Sequence, residues 1–338
     1  MYEAFFGFRE RPFDLTPNPR YLVLTSAHRE ALSNLEYGIA SRKGITLLLG
    51  EAGSGKTTII RTALERQPSR VHCVYLHNPA LTRDEFIEML GARFELSDRA
   101  RSSKANLLLE LEPLLRQRNE AGETTVLVVD EAQSLPLELL EEIRLLANIE
   151  TNEGKLLCVI MAGQPELAAR LNDQSLRQFK QRVALRCELR PLDQIETASY
   201  IVGRIHAAGG SGSDVFTREA VTLIHTRSKG IPRTISVIAD NALLTAFAAG
   251  QRPATRQIVQ DVCNDFDFHA DGPADGEARP PAGVRAPTGV AAGDGQLLVI
   301  GDAGDVPVPA RRDAPPPVSS QSIFSGLYPK RRRFSFFF

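Results

Sequence analysis

The sequence is poor in cysteine and has no long apolar run. The four cysteines, Cys73, Cys158, Cys187 and Cys263, are far apart and form no C-x-x-C pair. The first three lie in apolar runs that we predict to be buried strands, so neither a disulfide framework nor a zinc site is expected, and a reducing compartment fits. The longest apolar run, Leu156–Ala162, has the length of a strand and falls short of the roughly 18 residues that a membrane-spanning helix needs.

The sequence also lacks an excess of either charge. Its formal net charge of −1 gives the chain no general attraction for nucleic acid or an anionic membrane, so such binding must come from a local patch. The first thirteen residues carry acidic and basic side chains among aromatic ones, which is not typical of a signal peptide. We therefore expect a cytoplasmic protein, with peripheral contact at the inner membrane as a further option.

Composition changes after Ala270. Between Asp271 and Ser320 about a third of the residues are glycine or proline, above the roughly 25–30% that marks non-periodic disorder. The chain then ends in a basic and aromatic segment, Lys330–Phe338. We predict a disordered tail over residues 269–338, whose end could make a weak membrane contact, dock in an apolar groove or simply be solvated.

Short runs rich in valine, isoleucine and leucine alternate with helical patterns in the first 190 residues. This alternation indicates a parallel sheet covered on both faces. After Pro191 the strand pattern stops and helical periodicity continues to Cys263. The predicted fold class is therefore α/β, with a sheet domain over residues 1–190, which includes the N-terminal segment, and a small all-helical lid over residues 191–268. The predicted strands are Ile45–Leu49, Val71–Leu76, Thr124–Val129, Leu156–Ala162 and Val183–Leu189.

Two capping boxes predict where helices begin. In each, a side-chain oxygen is followed three residues later by glutamate, so that the two residues satisfy each other's backbone N–H groups. They are Thr82 with Glu85 and Asp193 with Glu196.

The strongest pattern is Gly50–Thr57, GEAGSGKT, which matches G-x-x-x-x-G-K-[ST] between an apolar strand and a helix. Its glycines let backbone N–H groups turn inward around phosphate oxygens, and the helix N-terminus adds positive potential. Lys56 would reach the β- and γ-phosphates, and the Thr57 hydroxyl would bind Mg²⁺. The apolar strand before this pattern and the helix after it argue against a glycine-rich turn that matches the pattern by chance. The predicted nucleotide-binding residues here are Gly50, Glu51, Ala52, Gly53, Ser54, Gly55, Lys56, Thr57 and Thr58.

An Asp-Glu pair follows the apolar run Val126–Val129. Such a strand delivers Asp130 to the edge of the sheet beside the phosphate loop, where Asp130 would hold the Mg²⁺ shell. Glu131 would orient and partly deprotonate the attacking water, and this second carboxylate implies hydrolysis, because many P-loop switches lack it. An acidic helix cap after a core strand is the alternative, and the phosphate-loop pattern in the same chain disfavours it. Asn78, after an earlier strand, could hydrogen-bond Glu131 and hold it inactive, or could support a turn before Pro79.

Several segments together resemble a known family. They are MYEAFFGFRERPFDLTPNP, HREALSNLEYGI, the P-loop, VVDEAQSLPLELLEEIRLLANIET, VIMAGQPEL, LRQFKQRV and KGIPR. Over residues 1 to about 268 the chain resembles the secretion-pathway protein A ATPases, which are AAA+ P-loop NTPases linked to assembly of the type II secretion secretin, with relatives beside exopolysaccharide and exosortase loci. More distantly it is similar to the ATPase helpers of transposition. The resemblance implies a strand order of 5-1-4-3-2, a helical lid, ATP and Mg²⁺ as ligands, and an ATP-dependent homo-oligomeric ring.

The resemblance also implies roles for individual residues. Gln164 matches the sensor-1 position, where a polar side chain detects the γ-phosphate, although it could instead belong to a helix-capping turn. Arg182 matches the arginine-finger position, with Arg177 as the fallback and an ordinary solvated arginine as the alternative. Arg233 matches sensor 2, because a proline at the helix start turns the next guanidinium toward the nucleotide.

The resemblance leaves two functions open. The first is an AAA+ ATPase that drives assembly or remodelling of an envelope secretion or polysaccharide-export complex, with a protein of that complex as its partner. The alternative is a DNA-associated ATPase like the transposition helpers. DNA is not the expected partner, because no helix-turn-helix or aromatic stacking pattern stands out. A GTPase or small-molecule kinase fits less well, because no N-K-x-D sequence occurs.

Overall fold

The structure is a computed structural model of the 338-residue chain. It describes residues 1–15, 23–67, 70–77, 81–211 and 214–268. The chain divides into two units, Met1–Glu277 and Ala278–Phe338, and every described residue lies in the first. The predicted tail and Asn78 fall outside the described residues, and the tail prediction begins directly after the last of them.

Helices and strands alternate up to Leu189, and helices follow. In chain order the elements are α1 (Tyr2–Phe6), α2 (Ser26–Ala40), β1 (Ile45–Gly50), α3 (Lys56–Glu65), β2 (Val71–Leu76), α4 (Arg83–Arg93), α5 (Asp98–Ser102), α6 (Lys104–Glu120), β3 (Thr124–Val129), α7 (Leu137–Leu146), β4 (Glu150–Thr151), β5 (Gly154–Lys155), β6 (Leu157–Gly163), α8 (Pro165–Arg170), α9 (Arg177–Lys180), β7 (Val183–Leu189), α10 (Gln194–Ala207), α11 (Arg218–Ser228), α12 (Pro232–Ala248) and α13 (Arg256–Asp265). Within the described ranges, no helix combines the length and the apolar character required to cross a membrane.

Five parallel strands form one sheet in the order β2-β3-β6-β1-β7. Numbered along the chain and read from the other edge, these strands have the order 5-1-4-3-2 that the family resemblance implies. The central strands β1, β3 and β6 are buried along their whole length. Alternate residues of β1 enter opposite cores: Leu47 and Leu49 pack in the cluster that contains α4 and α6, and Leu48 packs with α2 and α3. The predicted α/β sandwich is confirmed.

One expectation about the strands is wrong. Cys158 and Cys187 are buried as predicted, but Cys73 is exposed. Cys73 lies on β2, an edge strand, in the half of that strand that is not buried. Edge position alone does not decide the exposure, because Cys187 is buried on β7, the other edge strand.

Both predicted capping boxes are present. The Thr82 hydroxyl accepts from the Glu85 N–H at 3.3 Å, and the Thr82 N–H donates to the Glu85 carboxylate at 2.7 Å. The corresponding distances for Asp193 and Glu196 are 2.7 and 3.2 Å. The helices α4 and α10 therefore begin where the sequence predicts them to begin.

A separate apolar cluster holds together the helices α10 to α13. Four aromatic residues of the N-terminal segment are buried in the same cluster: Tyr2, Phe6, Phe8 and Phe13. The backbone of this segment is also tied to α10, because the Arg9 N–H donates to the Ala208 carbonyl at 2.8 Å. The N-terminal segment therefore packs with the lid helices, at the other end of the folded chain. The domain boundary between residues 190 and 191 stays a prediction.

Candidate functional site

The predicted phosphate loop connects β1 to α3. Gly53 and Gly55 have φ angles of 80° and 97°, in the left-handed region that favours glycine. A Cβ atom at Gly53 would lie 2.5 Å from Cβ of Arg233, so this glycine is also required by a close approach. The Arg233 N–H donates to the Gly53 carbonyl at 3.2 Å. The structure thus brings the predicted sensor-2 arginine against the phosphate loop.

Lys56 is the first residue of α3, and its ammonium group lies within the loop. Its Nζ donates to the carbonyls of Gly50 and Glu51 at 2.8 and 3.1 Å. Burial lowers the pKa of Lys56, and the carboxylates of Glu131 and Asp130 oppose this by raising it. A partly desolvated cation inside a glycine-rich loop is suited to bind phosphate oxygens.

Asp130 follows the last residue of β3 and faces the start of α3. Its Oδ2 accepts from the Thr57 hydroxyl at 2.9 Å and from the Tyr75 hydroxyl at 2.8 Å. Its Oδ1 accepts from the Glu131 N–H at 3.0 Å. Hydroxyl and carboxylate oxygens are the hard ligands that Mg²⁺ prefers, so Thr57 and Asp130 fit a magnesium shell. Sequence reasoning missed Tyr75, and the available signal was weak: a single aromatic residue on β2, paired in register with Val128.

Glu131 has a strained backbone conformation, and its side chain accepts hydrogen bonds from two amide groups. Its φ and ψ angles are 51° and 38°, which a residue other than glycine rarely adopts. Its Oε2 accepts from Gln133 Nε2 at 2.6 Å, and Gln164 Nε2 lies at 3.5 Å from the same oxygen. The predicted sensor-1 residue Gln164 is therefore beside Glu131. Gln133 was missed, although it stands two residues after Glu131 in the sequence.

A single cavity joins the phosphate loop to the lid and to the N-terminal segment. Gly53–Thr58, Glu131 and Arg233 line its polar side. Apolar and aromatic groups among the remaining residues suit the base and sugar of a nucleotide better than they suit phosphate. These remaining residues are Asp14, Leu15, Val23, His28, Tyr200, Arg204, Pro232 and Ser236.

His28, on α2, supports the phosphate loop. Its Nε2 lies 3.3 Å from the Ser54 carbonyl, and its Nδ1 lies 2.7 Å from the Thr25 hydroxyl. A carbonyl oxygen can only accept, so Nε2 carries the proton and Nδ1 accepts from Thr25. Burial lowers the pKa of His28, which is consistent with a neutral ring. Sequence reasoning did not single out this residue.

Arg204, buried on α10, connects the N-terminal segment to the lid. Its Nε donates to the Pro12 carbonyl at 2.6 Å, and its Nη2 donates to the Asp14 carbonyl at 2.8 Å. Its Nη1 donates to the Tyr200 hydroxyl at 2.7 Å, and the guanidinium carbon lies 6.0 Å from the ring centroid of Phe13. Because Asp14 and Tyr200 line the cavity, this contact fixes one wall of the site.

The two candidate arginine fingers lie away from this cavity. Arg182 and Arg177 are exposed. Arg182 directly precedes β7, whose first residue Val183 pairs with Ile45 at the start of β1. The phosphate loop follows the other end of β1, and six residues of strand span roughly 20 Å. Arg182 therefore does not reach the phosphate loop of its own chain.

Comparisons with known proteins point to one family. Residues 39–171 match the family model of the AAA domain. Over 251 residues, 74% of this chain, the sequence is 41% identical to General secretion pathway protein A of Aeromonas hydrophila. These matches relate the chain to the AAA+ ATPases of the secretion-pathway protein A family. The chain spans about half of that relative, since the match covers 46% of the relative's length.

Several solved structures share the fold of this chain. The ORC2 protein of Aeropyrum pernix, in its ADPNP–ADP complexes, matches with a TM-score of 0.58 and 17% identity, over 76% of this chain and 71% of that chain. The ORC1 protein of the same organism, in complex with DNA, matches with a TM-score of 0.56 and 18% identity, over 77% and 70%. Identities this low establish a common fold and do not transfer the DNA contact.

Proposed function

We propose that this ATPase binds Mg·ATP between the phosphate loop and the lid and hydrolyses it with Glu131 as the residue that activates water. Lys56, Thr57 and Glu131 line one cavity, and Asp130 is hydrogen-bonded to Thr57, which supports the proposal. Lys56 supplies a buried cation, Thr57 and Asp130 supply paired oxygen ligands, and Glu131 lies beside them.

Some of these residues would bind the nucleotide in the ground state, and others would act on the transition state. Lys56 neutralises phosphate charge, and Thr57 with Asp130 would hold the Mg²⁺ ion, which when bound shields the negative charge of the phosphates. Glu131 would orient water toward the γ-phosphate and accept its proton. Arg233 and Gln164, which lie at the loop and beside Glu131, are proposed to contact the γ-phosphate.

Two substitutions test this division. Lys56→Ala is expected to abolish ATP binding, because Lys56 meets charge that is already present in the ground state. Glu131→Gln is expected to bind ATP with near-parental affinity and to lose turnover, because Glu131 acts on the water. Fluorescent-nucleotide binding and phosphate release measure the two properties, with the exposed Glu138→Gln as the control. Parental turnover by Glu131→Gln would remove Glu131 from the mechanism.

We further propose that hydrolysis drives assembly or remodelling of an envelope secretion or polysaccharide-export complex from the cytoplasmic side of the inner membrane. Its support is the 41% identity to General secretion pathway protein A. A strain carrying only Lys56→Ala should then lose export or secretion to the same extent as a deletion strain. Full export by the Lys56→Ala strain would contradict this role and leave the ATPase chemistry intact.

The active form is proposed to be a ring in which Arg182 completes the nucleotide site of the neighbouring subunit. Two observations support this: Arg182 is exposed, and it lies roughly 20 Å from its own phosphate loop. A guanidinium supplied from a neighbour would stabilise charge that develops on the γ-phosphate during hydrolysis.

A further inference from the structure

The side chain of Gln133 is held at both of its ends. Its Oε1 accepts from the backbone N–H of Gln164 at 3.1 Å, and its Nε2 donates to Glu131 Oε2 at 2.6 Å. The orientation of the amide is fixed by its partners, because a backbone N–H can only donate and a carboxylate can only accept. Gln133 therefore links the end of β3 to the start of α8.

The backbone of Gln133 is fixed as well. Arg170, in the last turn of α8, donates from Nη1 to the Gln133 carbonyl and from Nη2 to the Leu135 carbonyl at 2.8 Å. The Ser134 N–H donates to the Glu131 carbonyl at 2.9 Å and closes a short turn over this segment. These contacts hold Glu131 in its left-handed conformation, which a residue other than glycine keeps only where the surrounding structure imposes it.

The two oxygens of Glu131 have different surroundings. Oε2 faces the amides of Gln133 and Gln164, whereas no described residue donates to Oε1. A carboxylate that is fixed through one oxygen can offer the other to a water molecule in a defined direction, which general-base action requires.

We propose that Gln133 is a positioning residue that aims the Glu131 carboxylate and couples it to the turn that carries Gln164. This inference rests on the proposed role of Glu131 in activating water. When the γ-phosphate engages Gln164, any movement of the turn at residues 163–165 is transmitted through the Gln164 N–H to Gln133, and from its Nε2 to Glu131. Water activation then depends on the presence of the γ-phosphate through one continuous set of hydrogen bonds.

The first test replaces the amide with an apolar group of similar length. Gln133→Met in the full chain is expected to lower kcat about 10- to 100-fold, because a hydrogen bond to a charged group is lost. The KM and Kd for ATP should stay within about twofold, because Gln133 does not contact the loop that holds the phosphates. Gln117→Met, at an exposed glutamine on α6, is the matched control and should behave as the parent. Parental kcat in Gln133→Met, while Glu131→Gln is inactive, would overturn this proposal and leave the proposed function standing.

A second variant gives a readout that loss of packing cannot produce. In Gln133→Glu the side chain keeps its length and a polar end, but a carboxylate replaces the amide donor that faces Glu131 Oε2. The kcat should therefore fall at least as far as in Gln133→Met, with the KM for ATP again within about twofold of the parent value. Parental kcat in a folded Gln133→Glu protein means that residue 133 does not face Glu131 and overturns the proposal, even where the methionine variant fails to fold.

The coupling to Gln164 is tested by a double-mutant cycle on kcat. If the two amides act as one unit, Gln133→Met and Gln164→Met together should cost clearly less than the product of their separate losses. Losses that multiply would show that the two residues act independently, which contradicts the coupling.

Discussion

At Gly53 both the backbone conformation and a neighbouring side chain require glycine. The φ angle of 80° disfavours any side chain, and an added Cβ would meet Arg233 at 2.5 Å. Gly122, in the turn between α6 and β3, has a similar φ of 75°, but a Cβ added there would meet no described atom within 4 Å. These two glycines separate the cost of a left-handed backbone from the cost of a close approach.

Gly53→Ala is accordingly expected to weaken ATP binding, whereas Gly122→Ala is expected to leave ATP binding unchanged. The shared backbone strain should lower the free energy of unfolding by about 1 kcal/mol in each. Gly53→Ala additionally displaces Arg233 and the N-terminus of α12, so its ATP affinity should fall by at least tenfold. Urea unfolding and nucleotide titration measure the two effects. Equal ATP affinities in the two variants would show that Arg233 does not need its close approach to the loop.

Residues that act through short stretches of chain could be predicted, and residues that act through tertiary contacts could not. Lys56, Thr57 and Asp130 lie close together as expected, because loop spacing and strand length fix their positions locally, and their roles stay predictions. Tyr75 reaches Asp130 only through the register of β2 against β3, which no local pattern encodes. Gln133 was missed because its role depends on the left-handed conformation of Glu131, whereas glutamate gives no sequence signal for such a conformation.

The helices and strands show the same distinction between features set by local sequence and features set by tertiary contacts. The five strands of the large sheet and the two helices with capping boxes were predicted within a residue or so, because apolar runs and capping boxes are local signals. The two-residue strands β4 and β5 were not predicted. The exposure of Cys73 was not predicted either, because it depends on which elements cover β2 rather than on the composition of the strand. The packing of α1 with the lid was also not predicted, since it joins segments roughly 200 residues apart.

Arg204 offers a test of how the N-terminal segment is attached to the lid. Arg204→Met should lower the free energy of unfolding by about 2–4 kcal/mol, because two carbonyls that Arg204 binds, those of Pro12 and Asp14, lose a charged donor. ATP affinity should fall as well, since Asp14 lines the cavity. The control is Arg252→Met, which removes an exposed arginine that donates to the Phe5 carbonyl at 3.2 Å. The free energy of unfolding of Arg252→Met should fall by less than about 1 kcal/mol. Similar losses in both variants would argue that Arg204 is not a special attachment point.

For the molecule as a whole, the proposed ring predicts that hydrolysis depends on assembly, because Arg182 does not reach the phosphate loop of its own chain. Arg182→Ala should keep its ATP affinity and lose turnover, because the finger acts in the transition state, where such arginines contribute on the order of 10³–10⁵ in rate. Specific ATPase activity of the parent should rise with protein concentration as subunits associate.

Mixing two inactive variants distinguishes action between subunits from action within one. In a ring of Arg182→Ala and Lys56→Ala subunits, an intact phosphate loop can face an intact Arg182, so partial recovery of ATPase activity is expected. Demonstrated co-assembly without recovery would exclude Arg182 as the finger and transfer the role to Arg177, which is also exposed on the short helix α9.

The shared cluster of the N-terminal aromatic residues and the lid helices also sets a delay during protein synthesis. Tyr2, Phe6, Phe8 and Phe13 leave the ribosome well before the helices that bury them, which end at Asp265. At about 5–20 residues per second, translation of the intervening chain takes roughly 10–50 s. Throughout that interval the sheet domain can begin to fold, while these four aromatic side chains have no lid to cover them. Residues that are synthesised early are thus among the last to become native.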